Sequence, residues 1–176
     1  MSNTAGQAYA FLAMTPIVPG AQGELRAAIE GFATTRPFER LPRTHFARLV
    51  ILPDWVNDPS QPREDHLKSP YLIFSTTFDG PRDSYLDELC RRLAPEAAQV
   101  WGRCIGAPKR PRGVALKRYL LHNQIDIGFF VAAYPDATVQ RVQAALARRR
   151  ALADLAVRTQ GLDASDLRAA YTKQFA

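Results

Sequence analysis

His45-Phe46-Ala47-Arg48-Leu49-Val50-Ile51-Leu52 and Tyr71-Leu72-Ile73-Phe74-Ser75-Thr76-Thr77-Phe78 are the two stretches on which the fold turns. Both are short runs of β-branched and aromatic residues bounded by prolines, the composition of strands. In the first, alternation puts Phe46, Val50 and Leu52 on one side, interrupted by Arg48, and His45, Ala47, Leu49 and Ile51 on the other. Paired as a hairpin, they set Arg48 opposite Ser75 and His45 opposite Phe78 or Asp79. The residues between them, Pro53 to Pro70, form a long loop with four prolines and mixed charges. A loop of that length is either functional or mobile.

Two further runs, Tyr9 to Ile17 and Ile125 to Tyr134, carry no alternation and read as strands buried on both faces. Between the strands lie segments of helical spacing. Leu25, Ala28, Ile29 and Phe32 mark a helix over 21–35, and Leu86, Leu89, Cys90 and Leu93 mark one that opens at Asp79-Gly80-Pro81, with Asp79 as its cap. A short helix over 96–104 and a helical piece over 114–123 follow. The order strand, helix, strand, strand, helix, strand predicts an α+β fold, a ferredoxin-like βαββαβ antiparallel sheet with helices on one face. Additional C-terminal helices are expected over 137–160 and from Asp163 or Ser165 to Phe175. The chain reads as a single domain over 1–176, with a core over about 8–145 and a helical extension over 146–176. Tyr9, Phe11, Phe129 and Val131 cannot all be covered by helices on one face. A homodimer is therefore expected, unless the C-terminal helices cross the open face.

At 176 residues the chain is long enough for one domain with a substantial core. No apolar run approaches the roughly 20 residues of a membrane span, and Met1 to Gln7 lacks the pattern of a signal peptide. A cytoplasmic setting is expected. Cys90 and Cys104 have no metal or redox spacing and read as reduced core thiols. The net charge of +6 gathers in two clusters, Lys109 to Arg118 and Arg148 to Arg150. No aromatic residues interleave them, which argues for solvated surface and against nucleic acid.

Chemistry concentrates on the hairpin. His45, Arg48 and Asp79 are the candidate catalytic residues: a carboxylate beside an imidazole fixes its tautomer, and an arginine in an apolar strand needs an anionic partner. Ser75, Thr77, Tyr85, Trp101 and Tyr134 are the candidate ligand-binding residues. The three histidines, His45, His66 and His122, show no metal-ligand spacing, so no metal site is expected. Glycine-rich phosphate loops and the Gly-x-Ser-x-Gly elbow are absent, which excludes nucleotide-dependent and serine-hydrolase chemistry of those kinds.

The stretches Thr44-His45-Phe46-Ala47-Arg48-Leu49-Val50, Tyr71 through Gly80, and Ser84-Tyr85-Leu86-Asp87, with Trp101-Gly102 and Ala133-Tyr134-Pro135, resemble an uncharacterised bacterial domain of the dimeric α/β-barrel type. That domain is associated with catalase-like and peroxidase-like haem modules. Asp79-Gly80 is also similar to the Asp-Gly motif of dye-decolourising peroxidases, although the rest of their pattern is missing. The resemblance implies a homodimer, haem as the cofactor to consider, and oxygenase or haem-related chemistry. The function expected is a small enzyme acting on an apolar or anionic small molecule. The alternative is a non-catalytic ligand-binding or accessory module for a partner enzyme.

Overall fold

The computed structural model describes residues 3–175, which divide along the chain between Val139 and Gln140 into two compact units. In the first unit, β1 (Thr4–Ala5), β2 (Ala8–Pro16), β3 (Thr44–Leu52) and β4 (Tyr71–Asp79) form one antiparallel sheet in the order β1-β2-β4-β3. Its helices are α1 (Gln22–Thr35), α2 (Arg82–Arg92), α3 (Ala94–Val100) and α4 (Gly113–His122). The second unit contains nearly all of α5 (Val139–Arg158) and α6 (Ala164–Phe175). These two helices line an apolar groove between Leu152, Leu155, Ala156, Leu167 and Tyr171.

The α+β class and three of the four expected strands are present, and the central hairpin has the expected register, with Arg48 opposite Ser75. Side-chain alternation then decides the two faces. Phe11, Ala13 and Thr15 of β2, Leu72, Phe74, Thr76 and Phe78 of β4, and Ala47, Leu49 and Ile51 of β3 share the inner face. There they pack into one core with Leu25, Tyr85, Leu86, Leu89, Ala97, Val100, Trp101, Leu116 and Leu120 from the helices. Phe74 sits at its centre, in contact with the rings of Phe11, Phe38 and Trp101. The Phe78 and Tyr85 rings stack 3.7 Å apart. Cys90 and Cys104 are free and buried; desolvation pushes the Cys90 thiol up to about 12, so neither serves as a ready nucleophile.

Ile125 to Tyr134 is not a strand. Only its first residues touch the sheet, through the bridge between Gln124 and Ala13 and a bond from the Ile125 N–H to the Leu12 carbonyl. The rest leaves the sheet, with Phe129 83% exposed and Tyr134 81% exposed. The physical reason is competition for hydrogen bonds: β1 occupies the edge of β2 that this segment needs. A two-residue Gly6-Gln7 turn folds β1 back onto β2, with Gly6 at φ +60°. That turn was the signal in the sequence, and the two residues of β1 were too few to read as a strand.

Phe74→Ala removes the ring that joins β4 to Phe11, Phe38 and Trp101 and is expected to cost about 3–5 kcal/mol. Urea denaturation of the variant against the parent measures it.

Candidate functional site

The functional geometry begins with an irregularity. β3 pairs Thr44 with Phe78 and Phe46 with Thr77, so His45 is an extra residue, a β-bulge. A bulge re-aims the side chain it carries. Here the His45 Nε2 lies 2.7 Å from Asp79 Oδ1, and Asp79 Oδ2 accepts the Val139 N–H at 2.7 Å. The pair is largely sequestered, with 20% of the His45 side chain and 11% of the Asp79 side chain exposed. Asp79 does not cap α2: that helix starts behind Pro81 with no side-chain cap, so the expected capping role is replaced by the contacts to His45 and Val139. With the Nε2–H donated to a carboxylate, neutral His45 presents Nδ1 as its proton acceptor.

Arg48, Ser75 and Thr77 lie on the outer face of the sheet, the face away from α1–α4, with Leu12, Met14, Ile73 and Val50 among them. Arg48 and Val50 are exposed, Phe46 is 65% exposed, and the others are half-buried. This is a largely apolar surface that carries the Arg48 cation and the hydroxyls of Tyr71, Ser75 and Thr77.

The remaining nominated residues are elsewhere. Tyr85 is fully buried, and its hydroxyl bonds Thr44 at 2.8 Å and Thr76 at 3.1 Å. Burial raises its phenol above the ordinary value, with the bonds to Thr44 and Thr76 opposing that rise. Trp101 is core, its ring edge-on to Phe74 and its indole N–H without a protein partner. Both are structural members of the core. Tyr134 stands in the exposed stretch after Ile125, away from the sheet ladder.

The long loop is organised by Asp54. One of its oxygens accepts the Trp55 N–H at 2.8 Å and the Leu67 N–H at 2.7 Å, and the other lies 2.8 Å from His66 Nδ1. Asp54 is followed in sequence by aromatic and apolar residues, and only the loop's closure reveals its role. The Leu67 N–H, His66 and the Trp55 N–H together hold its carboxyl at about 2. The bond to Asp54, reinforced by its charge and by those of Glu64 and Asp65, holds His66 above the ordinary histidine value.

Among the described residues no group of three or more His, Cys, Asp or Glu is placed to hold a metal ion, and no helix is long and apolar enough to cross a membrane. Haem ligation calls for an imidazole nitrogen free to face the iron in an apolar slot. His66 is exposed and engaged by Asp54 and Glu64, whereas His45, with Nε2 held by Asp79, has Nδ1 as the nitrogen not turned onto that carboxylate. His122 is exposed at the end of α4. No family model, curated protein or solved structure matches the chain.

Two predictions follow from this geometry. Asp79→Ala leaves His45 and the Val139 N–H without their acceptor and should cost roughly 1–3 kcal/mol, whereas Asp79→Asn, which keeps one acceptor oxygen, should cost less; thermal unfolding measures both. The Asp54–His66 clasp should be tightest in mild acid. The contribution of Asp54, whose folded value is depressed, is lost as pH falls through about 2. The contribution of His66, whose folded value is raised, is complete below 6.5 and is lost as pH climbs through that raised value. An NMR titration should place His66 above 6.5, and Asp54→Asn should bring it back towards that value.

Proposed function

We propose that this chain is a ferredoxin-like domain that pairs with a second copy through the outer face of its sheet and works as a small enzyme on an apolar or anionic molecule enclosed there. The observation that carries this reading is the bulged His45, fixed by Asp79 at the rim of an apolar surface. An apolar surface of this kind gains by being covered, and a second copy is the simplest cover. In such a pair Arg48 takes the anionic group of the ligand, Ser75 and Thr77 supply hydrogen bonds, and His45 Nδ1 accepts a proton from the reacting carbon or heteroatom. Asp79 keeps the imidazole in the required tautomer and steadies the cation that forms. Buried, unpaired thiols suit the cytoplasmic setting that this reading assumes.

One observation favours the non-catalytic alternative. Two grooves on the first unit, at Ile29, Phe32, Phe38, Ala47 and Leu49 and at Ala94, Ala98 and Pro111, are lined by none of the candidate catalytic residues. In that reading the outer face only holds a ligand or a partner enzyme.

Light scattering at micromolar concentration should give the mass of a dimer, and Val50→Asp should give a monomer. Anilinonaphthalene sulfonate, which is apolar and anionic, should bind the dimer and lose roughly tenfold in affinity in Arg48→Ala. A monomeric parent that leaves the probe unbound would sink the proposal. His45→Ala separates the two readings: a base leaves probe affinity within about twofold, whereas a mere contact weakens it as Arg48→Ala does.

A further inference from the structure

The free edge of β2 is shared by two segments of the chain. From one side come residues 123–125, where the Met14 N–H bonds the Asn123 carbonyl at 3.0 Å and the Ile125 N–H bonds the Leu12 carbonyl at 2.9 Å. The bridge between Ala13 and Gln124 makes this pairing antiparallel. Bonded pairs in an antiparallel ladder recur at every second residue. The same register therefore brings Ile127 opposite Ala10 and Phe129 opposite Ala8. There the Ala10 N–H would meet the Ile127 carbonyl, and the Ile127 N–H the Ala10 carbonyl.

Asn3 takes up both of these interactions. The Ala10 N–H bonds the Asn3 carbonyl at 2.8 Å, and the Ile127 N–H bonds the Asn3 side-chain Oδ1 at 3.2 Å. The Asn3 amide nitrogen lies 3.3 Å from the Tyr9 hydroxyl, and the residue is buried. Beyond it, Thr4 and Ala5 pair with Tyr9 and Ala8, so the rest of the edge is filled as well. The segment turned away is the one whose composition most favours a strand, Ile127-Gly128-Phe129-Phe130-Val131, and it leaves Phe129 and Val131 exposed. It also has slack. Its far end is tied where the Gln7 N–H bonds the Pro135 carbonyl at 2.8 Å. The chain thus uses all of 127–135 to cover the stretch that β2 covers between Ala10 and Gln7.

We propose that Asn3–Ala5 and residues 127–130 are alternative occupants of one sheet edge, so that release of the first segment lets the second join β2. Joining places Ile127 and Phe129 on the outer face beside Ala10 and Ala8, and Gly128 and Phe130 on the helix-covered face. Whatever takes hold of residues 3–5 therefore changes which apolar side chains the outer face presents. This inference stands independently of any catalytic role for His45.

Amide hydrogen exchange tests it in two variants. One lacks residues 3–5. The other is the full chain with Gly6→Ala, where φ +60° and a Cβ only 2.3 Å from the Pro135 carbonyl oxygen force the turn open. The Phe129 amide should exchange rapidly in the parent and roughly tenfold or more slowly in the variants, as it gains the Ala8 carbonyl. Unchanged Phe129 exchange with β4 amides still protected overturns the proposal. Loss of β4 protection in both variants overturns it as well, since Asn3–Ala5 would then be a fixed part of the sheet. Loss in the truncated chain alone leaves the decision to Gly6→Ala.

Discussion

β4 is hydrogen-bonded along its whole length on both sides, by β2 and by β3, and its alternation has to satisfy two neighbours and two faces at once. Leu72, Phe74, Thr76 and Phe78 point into the core, and a slip of one residue would exchange them for Tyr71, Ile73, Ser75 and Thr77. Thr76 shows how tightly this register is held. Its hydroxyl lies on the inner face, where it donates to the Phe46 carbonyl at 3.0 Å and meets the Tyr85 hydroxyl at 3.1 Å, so a polar atom in the core is satisfied by a strand and a helix together. Everything that bears on function hangs from this strand: Asp79 ends it, His45 bulges beside its end, and Arg48 faces its Ser75.

The bulge converts a structural position into a chemical one. Without the extra residue, His45 would continue the inner-face series of Ala47, Leu49 and Ile51, and its imidazole would enter the core beside Phe78 and Tyr85. With it, the ring meets Asp79 at the sheet's end, where one carboxylate serves both a side chain and the backbone of Val139. Both carboxylate oxygens are thereby engaged, which is what makes a largely buried anion tolerable.

The hairpin and the helices were legible because each is decided locally: alternation for β3 and β4, apolar spacing for α1, α2 and α4, and glycine and proline punctuation at their ends. That register placed His45 near the Asp79 end of the hairpin, but the contact between the two depends on the bulge. The bulge itself, the replacement of Asp79's capping role, and the burial of Tyr85 and Trp101 were not legible. Each depends on where a side chain goes once the sheet has twisted and packed, which composition does not record. Residues 125–134 failed for a different reason. Their composition is that of a strand, but a strand exists only where an edge is free to receive it, and occupancy of that edge is a property of the whole sheet.

The same reasoning explains why the outer face and the displaced segment belong together. The outer face of β2 carries small or flexible residues, the buried Ala8 and Ala10 and the half-buried Leu12 and Met14. Next to it the chain holds Phe129 and Val131 exposed, within reach of an edge on which Asn3 supplies stand-ins for the missing ladder bonds. Three residues, with one side-chain oxygen standing in for a backbone carbonyl, are a weaker occupant than a full strand, because they are short and bring little apolar surface with them. The sheet is thus finished on its inner side, where helices and strands lock around Phe74, and in the proposed exchange it is the outer side that changes. Arg48 and the hydroxyls of Ser75 and Thr77 stand on that side, with the His45–Asp79 pair at the sheet's end.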